Sequence, residues 1–217
     1  MLLFSGIKNW ELLYRAVETK LKNNGNGCHD FDHTLRVIAN TCALLKELPE
    51  ANAETALLAA LLHDIARPEE DNSCGTICHA ELGAEIAARM LADAGISPDI
   101  SEQVTAAVRT HRFRSDDPPQ SLEAQVVYDA DKLDSLGAVG IGRAFLFAGR
   151  TGARLHNTAE EALNSPAYSA EDTAYREYLV KLRYIPEKMF TPAGRSIAAG
   201  RLEYMEKFFS ELESELH

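Results

Sequence analysis

The run Ala56–Leu62 (ALLAALL) ends in His63-Asp64, and no other stretch constrains the fold as much. Seven apolar residues with no polar face mark a helix that protein surrounds on most sides. A carboxylate beside an imidazole at the end of that helix loses hydration worth several kcal/mol unless something compensates it. A bound metal cation is one compensator.

Two further residues point the same way. His33 lies thirty positions upstream in HDFDHTLRV, and Asp131 lies in VVYDADKLDSLGA, again an acid in mostly apolar surroundings. Nitrogen and oxygen ligands from separated helices suit a divalent ion such as Mn, Fe, Ni, Mg, Co or Zn. No cysteine is required. Cys74, Cys78 and His79 offer a partial second ligand set, with one CxxxC element and no partner pair.

The pattern elsewhere is helical. Trp10–Lys22 is amphipathic and ends at the turn-forming NNGNG of residues 23–27. Phe31, Leu35, Ile38, Cys42 and Leu45 recur every three or four residues and predict one buried stripe on the next helix, stopped by Pro49. The central helix is expected over Ala53–Ile65, with His63 and Asp64 in its last turn. Residues 69–75 (EEDNSCG) are expected as a polar loop and a candidate lid.

Helices follow over about Ile77–Ala94 with a Gly95 stop, from Ser97-Pro98 to about His111, over Leu122–Leu136, and over Ala170–Leu182 and Ala193–Leu212. Gly137, Gly140 and Gly142 suit close helix packing better than a phosphate loop, because no strand precedes them. Alternation at period two is scarce throughout. The fold class is therefore all-α.

His33, His63-Asp64 and Asp131 resemble the H…HD…D signature of the HD-domain metal-dependent phosphohydrolases. The phrases HDFDHTLRV, AALLHDIARP, HAELGAEIA, AVRTHRFR and DADKLDSLGAVGIGRAF are similar to those of a bacterial and archaeal subgroup. The resemblance runs from about Cys28 to Gly152. It implies an HD-type helical bundle as a single domain over residues 1–217, with the HD core over about 28–152 and C-terminal helices over about 153–217.

The resemblance also implies the roles. His33, His63, Asp64 and Asp131 would hold one divalent ion per chain, with Asp64 also orienting the attacking water. His79 and His111 lie where some HD-family enzymes take two more histidines for a second metal. The expectation here is one metal, with these two touching substrate, protonating the leaving group or supporting the ligands. His29 shares a helix face with His33 and either could ligate. The HxxRV phrase assigns the metal to His33 and leaves His29 to substrate or to structure. Lys132, after Asp131, is a phosphate candidate or a solvated lysine. Asp134 supports Asp131 or forms an ion pair.

The implied function is hydrolysis of a small phosphorylated substrate, a nucleotide, with nucleoside triphosphate pyrophosphohydrolysis as one form. A cyclic or signalling nucleotide phosphodiesterase and a nonenzymatic ligand-binding HD module are the alternatives. A net charge of -11 and a pI near 5.1 argue against duplex nucleic acid and anionic membrane as partners. A phosphate substrate then needs local cations, from the metal, Lys132, Arg112 or Arg114. The opening MLLFSGIKNW is too short in apolar length for a signal peptide, and a cytoplasmic location is expected. Leu202, Met205, Phe208 and Phe209 either complete the core or pair with another copy in a homo-oligomer.

Overall fold

Asn52 is extended and its side chain accepts a hydrogen bond from the Thr55 amide, which starts the central helix α3 (Ala53–Leu62). All eight residues Thr55–Leu62 are buried, as a helix without a polar face requires. In the computed structural model, residues 4, 6–22, 30–73, 75–112 and 117–216 are described. No strand occurs among them.

The chain divides into two compact units, residues 1–131 and 132–217. In the first, α1 (Trp10–Leu21) and α2 (Phe31–Glu47) pack against α3. On another side of α3 lies α6 (Pro98–Thr110), which in turn packs along α5 (His79–Asp93). The helix α7 (Leu122–Leu133) carries the unit's last ten residues, and the Asn40 side-chain amide donates to Ala130 O at 2.9 Å, tying α2 to it.

Three expectations for this unit are corrected. The central helix stops at Leu62 rather than Ile65, and residues 63–66 form turns in which Ile65 N donates to Leu62 O and Arg67 N to Asp64 O. Phe31 and Ile38 of the expected stripe are buried, but the rest of α2's buried face includes Thr34, Val37, Thr41 and Leu44, and Leu35 is exposed. That rotation places His33 on the buried face. Residues 69–72 are no loop: they belong to α4 (Arg67–Asn72), with Pro68 in its first turn, where a missing N–H costs nothing. Lys20 of α1 pairs with Glu69 at 2.6 Å, and Glu70 is buried. Gly95 does end α5, at φ +65°, with Ile96 N donating to Leu91 O.

In the second unit, α8 (Gly137–Arg150) and α11 (Pro192–Ser214) pack together, and α10 (Ala174–Val180) packs on α8 and on α9 (Ala159–Asn164). The short α9 falls in a stretch with no apolar period and is set by a capping box between Thr158 and Glu161. Phe209 stacks on Tyr178 at 4.7 Å and packs near Phe145, and Met205 is fully buried, so these two residues of α11 serve this unit's core, whereas Leu202 and Phe208 are half-buried. The glycines differ in use. A Cβ on Gly140 would meet Ser135 O at 2.2 Å and one on Gly137 would press on Arg201, whereas Gly142 faces open space. No helix among the described residues is long and apolar enough to cross a membrane.

Candidate metal centre

Helix ends deliver most of the site. Asp30 caps α2 by accepting from the His33 amide at 3.1 Å, and one turn into that helix His33 is fully buried. His63 is the residue after α3, His79 opens α5, and His111 is the residue after α6. Asp131 lies in the last turn of α7.

The imidazoles meet in two pairs. His33 Nε2 lies 3.2 Å from His63 Nε2 and 3.3 Å from Asp131 Oδ1. His79 Nε2 lies 3.1 Å from His111 Nε2. Asp64 stands between them with one oxygen for each pair. Its Oδ2 is 3.6 Å from His33 Nε2 and 3.7 Å from His63 Nε2. Its Oδ1 is 3.3 Å from His79 Nε2 and 3.4 Å from His111 Nε2. Two groups of three, His33-His63-Asp131 and Asp64-His79-His111, thus each bring their ligand atoms within 4.8 Å of one another.

The opposite ring nitrogens fix the protons. His63 Nδ1 donates to Ala60 O at 2.8 Å and His111 Nδ1 to Val108 O at 2.6 Å, since a carbonyl only accepts. His79 Nδ1 donates to the Glu70 carboxylate at 2.7 Å. In a neutral ring so held, Nε2 carries a lone pair. Burial pushes His63 down to about 4, with Asp64 and Asp131 opposing it, and pushes His79 down to about 2, with Asp64 opposing it. Both rings are neutral at physiological pH.

The Nε2 atoms of His79 and His111 face each other at 3.1 Å, and a cation seated between them would be ligated by both. A spacing near 3 Å is also what two nitrogens take when each lies about 2.0–2.1 Å from one ion. The donor set therefore fits divalent metal in both groups.

A ring of charge surrounds Asp64. Arg67 reaches Asp64 Oδ1 at 3.3 Å and Glu70 Oε2 at 2.6 Å. Arg112 lies 3.4 Å from Glu70 Oε1 and donates to Cys78 Sγ at 3.1 Å.

Residues 30–136 match the HD-domain family. Those residues form an HD domain. Over 214 residues it is 29% identical to YpgQ, an uncharacterized protein of Bacillus subtilis strain 168, covering 97% of this chain and 95% of YpgQ. A predicted HD superfamily hydrolase from an uncultured Thermotogales bacterium superposes with a TM-score of 0.72 at 27% identity, over 99% of this chain and 97% of that one. The crystal structure of Bacillus subtilis YpgQ in complex with ADP gives 0.71 at 27% identity, over 94% and 93%.

Of the four ligands expected from sequence, His33, His63 and Asp131 form one group, whereas Asp64 groups with His79 and His111 and keeps its other oxygen 3.6 Å from His33 and 3.7 Å from His63. Cys78 stays outside both groups, its sulfur turned to Arg112. Lys132 is buried and is the first residue of the second unit. Asp134 pairs with Arg143 at 2.7 Å, as its ion-pair alternative has it. His29, Arg114, Cys28 and Cys74 lie outside the described residues. Glu70 and Arg67 were not among the site residues expected from sequence. The only signal for Glu70 was one acid in a charged hexamer, which ordinarily reads as solvated.

Proposed function

We propose that this HD domain is a metal-dependent phosphohydrolase of a small phosphorylated substrate, a nucleotide, and that it takes two divalent ions rather than the one expected. The observation that carries the proposal is the convergence of four imidazole Nε2 atoms on the two oxygens of Asp64. His33, His63, Asp64 and Asp131 would hold the first ion and Asp64, His79 and His111 the second. Such ions supply an acidified water and charge neutralisation at phosphorus.

The chain's own groups do the rest. Asp64 would serve both ions, since each of its oxygens faces one histidine pair. His79, held neutral down to about pH 2, is unsuited to protonate a leaving group and suited to ligate. Arg67 and Arg112 supply positive charge beside the centre of a chain whose net charge is -11, which a polyanionic substrate needs. That YpgQ crystallised with ADP supports a nucleotide.

The test is turnover of a nucleotide panel by metal-stripped protein reloaded separately with Mn, Mg, Fe, Co, Ni or Zn, with phosphate, pyrophosphate and ring-opened products resolved. Metal-restored release is expected, and pyrophosphate release would choose the triphosphate form. Loaded protein that turns over nothing in the panel sinks the proposal and favours a binding module.

A further inference from the structure

Glu70 belongs to neither ligand group, yet His79, Arg67 and Arg112 all meet it. It is 8% exposed, accepts from His79 Nδ1 at 2.7 Å, and pairs with Arg67 at 2.6 Å and Arg112 at 3.4 Å. Arg67 in turn reaches the Asp64 oxygen that faces His79 and His111.

Two physical consequences follow. A histidine at a helix start with no partner for Nδ1 is free to exchange its proton between nitrogens, and only the Nδ1–H form leaves Nε2 able to ligate. The charge balance is equally demanding. Without Glu70, two guanidinium groups would face a site whose only shared anion is Asp64, and a divalent ion would be opposed there.

We propose that Glu70 is a positioning residue for the second ion, resting on the two-ion reading above: it fixes His79 as the Nδ1–H form and offsets Arg67 and Arg112. Glu70 acts through His79 and touches no reacting atom. The site of His33, His63 and Asp131 has no contact with Glu70 among those described, so the effect should fall on one ion rather than both.

The experiment pairs ion-binding titration with nitrogen-15 NMR of the imidazoles in metal-free protein, on wild type, Glu70→Ala and Glu70→Gln. Wild type should bind two ions and hold His79 with its proton on Nδ1. Glu70→Ala should weaken the second ion about 10- to 100-fold and lose that tautomer. Glu70→Gln keeps size and an acceptor oxygen, so it should keep the tautomer and still weaken the second ion through lost charge. An unchanged tautomer or unchanged second-ion affinity in Glu70→Ala overturns the assignment. Should Glu70→Ala melt early, unchanged second-ion affinity in Glu70→Gln overturns it instead. A wild type that binds a single ion defeats the two-ion reading alone; the tautomer in Glu70→Ala then decides for or against Glu70.

Discussion

Asp64 gives one oxygen to each histidine pair, so no neutral side chain can serve in its place. In Asp64→Asn an amide N–H2 must face one pair of lone pairs, filling the cation's position with a donor. Partners outside the ligand sphere already cost 10- to 100-fold when lost, so Asp64→Asn and Asp64→Ala should lower kcat/KM by more than about 100-fold and release metal. Elemental analysis beside steady-state kinetics reads both, and full activity with bound metal would remove Asp64 from the centre. His63 carries a second prediction. Its folded value of about 4 lies below the unfolded 6.5, so the unfolded chain binds more protons between them. Stability is then complete above pH 6.5 and falls with pH toward 4, by about 1.4 kcal/mol per pH unit for this residue. His79, lowered to about 2, adds in the same direction. Urea titrations of metal-free protein from pH 7 to 5 should show the midpoint falling; a flat profile would mean that these rings already carry charge in the fold.

At the scale of elements, burial and caps contribute unequally, and the difference is measurable on α3. Leu58 and Leu61 are fully buried, and truncating either to Ala should cost about 2–5 kcal/mol. Asn52 only starts the helix, and Asn52→Ala should cost about 1 kcal/mol. Denaturant midpoints of the metal-free variants test the order, and a cap as costly as the core would mean α3 is held by its start rather than by its packing. The same helix explains what the sequence disclosed. Apolar runs and turn residues marked α1, α3, α5 and α6 within a few residues, since burial and backbone breaks leave periodic traces. The end of α3 was misjudged by three residues because Ile65 is as apolar inside a turn as inside a helix. The α2 stripe was rotated because its buried face includes Thr34 and Thr41, polar residues that hydrophobic periodicity passes over. For α4 nothing periodic exists to read: RPEEDN is charged, and Glu70 is buried where His79 and Arg112 from other parts of the chain meet it beside its own helix's Arg67. The candidate ligands are legible through family phrases, whereas their grouping around two oxygens of one carboxylate is a fact of three dimensions.

For the whole molecule, all six candidate ligands belong to residues 1–131, although the HD-family match continues to residue 136. Metal should therefore stabilise the chain unevenly. An ion that binds only the folded form, at a free concentration 100-fold above its Kd, adds about 2.7 kcal/mol. For a chain of this size that corresponds to a rise of about 5–10 °C in Tm. The gain reaches an amide only if that amide exchanges through an opening that releases the ion. Candidate ligands on α2, α5 and α7, with those just past α3 and α6, would tie five helices of the first unit to the metal. Their slowest amides should gain hydrogen-exchange protection on metal addition, whereas those of α8, α10 and α11 should gain less. Equal gains in both units would show that they open together, and no gain in α2, α3 and α5 alongside confirmed binding would place the metal elsewhere in the chain.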